Sequence, residues 1–461
     1  MNCSRVVISR FEVAVLLFCF ATWAEVDVWA DSPTIQIATF QCDITPPTGV
    51  PIGMGFIKVL ETVEHPLLAK GVVIVNQHGK QPQTYVLCGL DWMELHNSSY
   101  DELRQRIAES AGTVPSFVAT HSLHQHTAPA FSVDVQRLRL AEDHPRRVAT
   151  ARYLDRTARD IGAAIQAALQ NLRTLTHVGT SQAQVDRVAS NRRIEKSDGT
   201  IVMRGSRCST EWLRAAPEGL IDPWLKTVSF FSGKEVIARM HYYATHPQSF
   251  YNDGRISYDT CGIARERLQE TEGVFQIYFT GCGGDIAMGK YNDGSLEARA
   301  ELTDRLYNAM SQSVADVERT SVDKIRWDVA PFRFPPRTEE AFALETSRSK
   351  LKESLTAPTN VAWIERMQAG HAIELSCLTI NNVQILHLPG EPFVLYQLAA
   401  QRSRPDSFVA VAGYGDGGVG YVGGDRIYTD RGGYEQTYCF TGPCEDLLNN
   451  AVSALLARGA Q

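Results

Sequence analysis

The chain has 461 residues, with 45 Lys and Arg against 52 Asp and Glu, a formal charge of −7, and 44% apolar and 21% charged residues. That is a globular balance with material for a substantial core, and it excludes a disordered chain, a collagen and a coiled coil. The mild acidity, with no clustered surplus of Lys and Arg, also excludes nucleic-acid binding as the main task, because phosphate neutralisation needs such a cluster.

At the start of the chain, Arg5 and Arg10 give a positive n-region, Val13 to Ala24 an apolar run, and Val28-Trp29-Ala30 small residues at the −3 and −1 positions of a cleavage site. Residues 1–30 are therefore expected to be a signal peptide cleaved after Ala30, leaving 31–461 as a single large secreted or periplasmic domain. The run falls short of the roughly 20 residues of a membrane span, and no later stretch reaches that length, so membrane contact is expected to be peripheral at most.

Strands and helices alternate from there. Gly71 to Asn76, Thr84 to Gly89 and Phe117 to Thr120 are short β-branched runs of buried-strand type, and Tyr100 to Ala111 has helical periodicity. A long helix is expected over Pro145 to Leu172, an extended segment over Val178 to Val188, and a hairpin from Lys226 to Tyr243 turning at Ser232-Gly233-Lys234. Then follow helix at Asp259 to Thr271, strand at Val274 to Phe279 and helix at Leu296 to Val317. Ile373 to Leu388 reads as a hairpin about Asn381-Asn382. A helix over Phe393 to Arg402, a strand over Phe408 to Val411 and a final helix over Glu445 to Arg458 complete the series. Pro335 to Thr359 is weakly patterned and reads as a helical excursion or surface lid. The class is α/β, with mixed β-sheets flanked by helices and no clean domain boundary.

The chain has ten Cys, none in a Cys-x-x-Cys pair, so a metal would be held by His and carboxylate rather than thiolate. Export permits disulfides, and Cys439 and Cys444 are near enough in sequence to pair, but the cysteines are too sparse for a disulfide scaffold. Four segments concentrate the chemistry where strands end. His121, His124 and His126 follow the strand Phe117 to Thr120; imidazoles two residues apart on extended backbone share one side, as a metal site or an oriented base requires, although such His also cap sheet edges. His246, in Thr245-His246-Pro247, sits where proline stops a strand. Glu391, in Pro389-Gly390-Glu391-Pro392, lies at a strand-to-helix turn, where it suits a ligand or a helix N-terminal charge. The run Gly413 to Asp425 lacks a phosphate-loop lysine, and its glycines suit close backbone approach to a ligand and exposure of Tyr421.

Together these segments resemble the catalytic domain of the neutral, non-lysosomal ceramidase family, over nearly the whole mature chain from Cys42-Asp43-Ile44-Thr45-Pro46 and Met54-Gly55 to Tyr434-Glu435 and Thr441-Gly442-Pro443. The resemblance implies a zinc ion held by His124, His246, Glu391 and Tyr421, matched in order to the family's His-x-His, His-Pro, Pro-Gly-Glu and later Tyr segments. It also implies roles for Asp91, at a strand end, for Arg192 as an oxyanion or carboxylate partner, and for His126 in proton transfer. A buried salt bridge between Asp91 and Arg192 is the plain alternative. Asp259 and Asp285 correspond to turns that line the family's site.

One departure stands out. The family's Gly-Asp-x-Ser-Pro-Asn segment reads Gly284-Asp285-Ile286-Ala287-Met288-Gly289 here, which excludes a serine nucleophile at Ala287 and leaves Cys282 as a conceivable thiol in its place. The resemblance also does not extend to the family's immunoglobulin-like tail module. The implied activity is zinc-dependent hydrolysis of a C–N bond in a small-molecule or lipid-like amide, zinc-activated hydroxide attacking the acyl carbonyl. The alternatives are hydrolysis of esters or other acylated small molecules on the same scaffold, and metal-containing binding without turnover.

Overall fold

The computed structural model describes Met1, residues 34–50, Gly53 and residues 60–77, 81–250 and 254–459. Residues 2–30 of the expected signal peptide, and Met54-Gly55 of the family resemblance, lie outside the described residues.

Three mixed sheets share one core. In the first, β1 (Ile35–Asp43), β2 (Leu68–Asn76), β3 (Gln83–Leu90) and β4 (Val118–Ser122) lie in the order β4-β3-β2-β1, with Arg173–Thr174 along the β1 edge. β1, β2 and β3 are antiparallel neighbours, whereas β3 and β4 run parallel, joined through helix α1 (Ser98–Ala111). Period-two alternation splits the side chains between two faces. Ile35, Ile37, Val72, Ile74 and Leu87 turn to the shared centre, while Ala38, Phe40, Val73, Val86 and Cys88 pack under α1 and α2 (Pro145–Leu169).

The second sheet holds β5 (His177–Gln184), β6 (Trp224–Ser232), β7 (Glu235–Tyr243), β8 (Phe275–Thr280) and β9 (Glu318–Ser321), ordered β8-β7-β6-β5-β9. The expected β6–β7 hairpin forms, turning on Gly233 at φ 58°, and β7 and β8 are parallel. Helices α3 (Asp259–Glu272) and α4 (Leu296–Ala315) cover the outer face with Cys261, Leu268, Leu302 and Leu306.

The third sheet runs β10 (Ile325–Phe332), β11 (Ile373–Ile380), β12 (Val383–His387) and β13 (Phe408–Ala412) in chain order. Its weakly patterned insertion folds as a 3-10 turn at Glu340–Phe342, a short helix at Leu344–Ser349 and α5 (Ala357–Gln368). Between β12 and β13 lies α6 (Val394–Ser403), and α7 (Glu445–Arg458) closes the outer face with Leu448, Val452 and Leu455. β1, β9 and β10 are additional to the expected strands. β9, Glu318-Arg319-Thr320-Ser321, is polar throughout and exposed, so it carries no apolar period, whereas β10 does alternate, as in Ile325-Arg326-Trp327-Asp328.

Each sheet therefore contains a parallel pair: β3 with β4, β7 with β8, and β12 with β13. Ligand sites in sheets with crossover connections gather at the carboxyl ends of such strands. The loops leaving these ends are stitched together within and across sheets. Ser122 N donates to Tyr414 O at 2.9 Å, Gly413 N to Thr280 O at 2.9 Å, and His246 N to Ile286 O at 3.0 Å.

Candidate metal centre

Beyond β4 the chain leaves extended geometry at once, because the His124 amide is caught by the Trp92 carbonyl at 2.9 Å and its φ is 70°. The extended-strand reason for two imidazoles on one side is thus corrected: a left-handed residue, not strand alternation, sets the pair. The rings of His124 and His126 meet edge to face, with centroids 5.0 Å apart at 88°. His246 follows β7 and Glu391 follows β12. Glu391 is held in a two-residue parallel ladder with Tyr421.

These loops bring His124 Nε2, His246 Nε2 and Glu391 Oε2 to within 3.2, 3.1 and 3.0 Å of one another. The remaining ring nitrogens are committed. His124 Nδ1 donates to the Met93 carbonyl at 3.0 Å, and His246 Nδ1 to the carbonyls of Gly283 at 2.7 Å and Ile286 at 3.1 Å. Carbonyls only accept, so in the neutral rings both protons sit on Nδ1 and both Nε2 atoms present lone pairs. Three buried lone-pair donors facing one point repel each other unless a cation or proton stands among them. Ligands about 2.0–2.1 Å from a tetrahedral zinc would be separated by about 3.3 Å, so the donor set fits such an ion in type and spacing. His126 is close enough to join His124 and His246 as a metal-binding group, and Glu94 to join His124 and Glu391.

Electrostatics agree with that fit. Burial alone would raise the Glu391 carboxyl, but His124 and His246 beside it hold it well below the usual carboxylate range. For His124, burial is outweighed by Glu391 and Glu94, which push its pKa up. His246 is pushed down to about 4 by burial and by Arg192, and His126 lies well below the ordinary value through burial and its two neighbouring imidazoles.

Around the donors sits a tyrosine and arginine wall. Tyr421 is buried rather than exposed, its hydroxyl 3.0 Å from that of Tyr434. The Arg192 guanidinium lies over both rings, 5.2 Å from Tyr421 and 5.0 Å from Tyr434; it donates to the Gly284 carbonyl and pairs with Glu435 at 3.4 Å. Tyr414 stacks on His124 with centroids 4.2 Å apart, and its hydroxyl lies 3.4 Å from His246 Nδ1. The glycines of this loop are required by close packing. A Cβ on Gly420, at φ 69°, would stand 2.0 Å from the Tyr438 carbonyl, and one on Gly418 2.0 Å from Asn97 Oδ1.

Asp91 is not brought to this cluster. Both its oxygens are taken by Arg265, at 2.7 and 2.9 Å, and the Leu68 amide adds a third bond at 3.0 Å. The alternative of an Asp91–Arg192 bridge is corrected accordingly: α3 supplies the partner of Asp91, and Arg192 turns instead to Glu435. Asp259 and Asp285 are likewise spent on backbone amides and polar side chains away from the donors. Asp259 accepts from the Ser249 amide at 3.0 Å, and Asp285 from the Val394 amide at the start of α6, at 2.8 Å, and from Asn191 Nδ2 at 2.8 Å. Ala287 pairs with Ser190, whose hydroxyl donates to the Ala287 carbonyl at 2.9 Å. Burial raises the Cys282 thiol well above its ordinary value, so it is no thiolate. Cys439 and Cys444 are free rather than joined.

Sequence reading missed Glu94, Tyr414, Tyr434 and Glu435 as parts of the site. Glu94 could have been found, since it lies just past the end of β3, the parallel neighbour of the strand that leads to His124. Its Oε2 bonds His96 Nε2 at 2.7 Å, and its Oε1 lies 3.6 Å from His124 Nδ1.

No protein-family model matches the chain, and no curated protein matches it in sequence. Solved structures do match in three dimensions. The neutral ceramidase from Pseudomonas aeruginosa aligns at a TM-score of 0.64 and 16% identity, over 93% of this chain and 75% of that one. A structure described as ceramidase complexed with C2 aligns at 0.62 and 15%, over the same shares. Sheets, helices and alignment together define a neutral ceramidase-like α/β fold.

Proposed function

We propose that this protein is a zinc-dependent hydrolase of C–N bonds, acting on a small-molecule or lipid-like amide. The observation that carries the reading is the triangle of His124 Nε2, His246 Nε2 and Glu391 Oε2, with both Nδ1 protons pinned to carbonyls. The match to solved ceramidases supports amides as the substrate class. When bound, zinc supplies Lewis acidity, polarising a carbonyl and lowering the pKa of water to about 7.

The chain's own residues supply the rest. His124, His246 and Glu391 hold the ion, with Glu94 behind His124 as an orienting carboxylate. Tyr421 stands beside Glu391, as a fourth ligand or as a hydroxyl donor toward the developing oxyanion, and Arg192 behind its ring adds a fixed positive charge there. His126, half-buried and held uncharged by desolvation and its two neighbouring imidazoles, accepts a proton and returns it to the leaving amine. Asp91 serves by position, fixing the exit of β3 through Arg265. No nucleophilic side chain is needed, which accords with Ala287.

We further propose that residues 1–30 are a cleaved signal and that 31–461 acts outside the cytoplasm. N-terminal sequencing of secreted material should begin at Asp31. Among the described residues no helix is long and apolar enough to cross a membrane. The test of function is elemental analysis of the purified protein with a fluorescent ceramide and a panel of simple N-acyl amides. About one zinc per chain, absent from His124→Ala and Glu391→Ala, with amide turnover that follows zinc content, is the expected result. A His124→Ala variant that keeps full zinc would overturn the site, and full zinc without turnover of any amide would overturn the activity.

A further inference from the structure

Asp416 lies in the loop that carries Tyr414 and Tyr421 and is buried, at 3% exposure. Its Oδ1 accepts from the Asn97 and Gly418 amides, each at 2.9 Å, its Oδ2 from the Arg366 guanidinium, and its carbonyl from the Gly390 amide at 2.9 Å. Each of these amides belongs to a segment that bears a group of the metal centre. Glu94 stands three residues before Asn97, Glu391 directly follows Gly390, and Tyr421 stands three residues after Gly418. Tyr414, which stacks on His124, is two residues before Asp416 itself. Asn97 is held at φ 51° and ψ −125°, a backbone setting that side chains other than glycine rarely adopt and that persists only where the surroundings enforce it.

The countercharge of Asp416 comes from outside the loop. Arg366 belongs to α5, in the insertion between β10 and β11, and its guanidinium is shared between Asp416 and Asp101, the latter at 2.7 and 2.8 Å. It also lies 3.3 Å from Asn97 Oδ1. The two carboxylates differ in burial. The Asp101 side chain is 40% exposed and has water to turn to, whereas loss of Arg366 would leave the buried Asp416 with an uncompensated charge among the ligand-bearing segments. We propose that Asp416 and Arg366 are a positioning pair for the metal centre: Asp416 fixes the segments of Glu94, Glu391 and Tyr421 against one another, and Arg366 holds Asp416 in place. The insertion is then a brace of the site rather than a lid over it. This pairing role rests on the zinc reading of the site, because a donor set works only when its members are held to about 0.5 Å.

The test compares the full mature chain with Arg366→Gln, Asp416→Asn and the double variant. In a chelator competition either single variant should bind zinc about 10–100-fold more weakly, the usual range for groups that orient metal ligands. The double variant should be no weaker than the weaker single, since the two changes remove one shared interaction. Arg239→Gln opens a pair with Glu272, at 2.8 Å, in the first half of β7; it is the control for lost stability and should keep wild-type zinc affinity. Hydrogen exchange of the zinc-free protein reads the positioning without metal: peptides spanning 94–101, 388–392 and 414–421 should exchange faster in Arg366→Gln than in wild type, and at the wild-type rate in Arg239→Gln. Arg366→Lys keeps a charge but loses the planar fork; it replaces any variant that fails to fold by its urea transition and should lose at least threefold in zinc affinity. Zinc affinity within twofold of wild type in the folded variants, an equal loss in Arg239→Gln, or unaltered exchange of the three segments would each overturn the pairing role and leave the zinc reading intact. A wild type that binds no zinc would overturn the zinc reading, and the pairing role with it.

Discussion

Glu391 and Tyr421 are paired residue for residue in a short parallel ladder, and the Glu391 amide donates to the Gly420 carbonyl at 2.9 Å. Two residues from separate loops are therefore placed by backbone pairing, which couples the main chain of Glu391 to that of Tyr421. The ladder is backed by Gly284, where an added Cβ would stand 2.3 Å from the Glu391 carbonyl oxygen and 2.9 Å from that of Pro392.

Gly284→Ala should consequently push Glu391 out of the triangle. Backbone rather than a flexible side chain has to yield, so a stability loss of about 1–3 kcal/mol is expected, together with weakened zinc binding. Zinc content and a urea midpoint on the same preparation check it; a variant with full zinc and unchanged stability would show that the ladder tolerates movement.

Glu94 touches none of the proposed substrate groups, yet its carboxylate stands 3.6 Å from His124 Nδ1 and 2.7 Å from His96 Nε2. Orienting carboxylates of this kind typically govern metal affinity by 10–100-fold. Glu94→Gln should lose roughly that factor in a chelator competition while still binding zinc at saturation. An affinity within twofold of wild type would remove Glu94 from the metal centre.

Tyr421→Phe deletes one hydroxyl and keeps the ring under Arg192. The three donors of the triangle suffice to hold a catalytic zinc, so metal content should stay near one per chain. Turnover should fall by about 10²–10³, the scale of a lost oxyanion donor, with the loss in kcat rather than KM. Loss of zinc in this variant would instead assign the phenol oxygen to the ion.

Much of the fold and site is legible in the sequence, for definite reasons. The elements with clean periodicity, such as the β6–β7 hairpin and helix α7, form within a few residues of expectation, and His124, His246 and Glu391 stand out because each closely follows a buried strand. What is not legible depends on pairing across the chain. Asp91 looks catalytic because it ends a strand, but its partner is Arg265 on α3, and no local pattern connects the two. Tyr414, Tyr434 and Glu435 act through contacts with His124, Tyr421 and Arg192 that exist only once three sheets are assembled. The glycines between 413 and 424 suggest an exposed Tyr421, whereas they allow tight packing that buries it.

The pairing of Asp91 with Arg265 makes its own prediction. Both side chains are buried, at 0% and 1% exposure, so Asp91→Asn leaves the Arg265 guanidinium with Glu266, 2.7 Å from its Nε, as its one remaining countercharge among the described residues. Breaking a buried pair from one side costs about 3–5 kcal/mol. The variant should lose stability on that scale, while the fraction that folds and carries zinc keeps wild-type kcat. A large drop in kcat at full zinc and full folding would return Asp91 to the reaction.

Asp285 offers a pH test with a definite sign. Burial raises its carboxyl from 3.8 to about 6, against the bonds from the Val394 amide, Asn191 and the nearby Arg192 charge that favour the anion. A carboxyl raised in the folded state binds its proton more tightly there than in the unfolded chain, so folding takes up a proton between about pH 4 and pH 6. The contribution of this residue is therefore least favourable above pH 6, grows as pH falls through that window and levels off below the unfolded value. A rise of that size corresponds to roughly 3 kcal/mol in full. Asp285→Asn keeps an acceptor for the Val394 amide, and with it the start of α6, but cannot titrate. The stability of wild type relative to this variant should accordingly rise by roughly 2 to 3 kcal/mol between pH 7 and pH 4, read from urea midpoints of the two proteins at each pH. A difference that stays flat would mean that Asp285 is ionised throughout, held so by Arg192 and the α6 amide. The N-terminus of α6 would then rest on a charge rather than on a neutral acid.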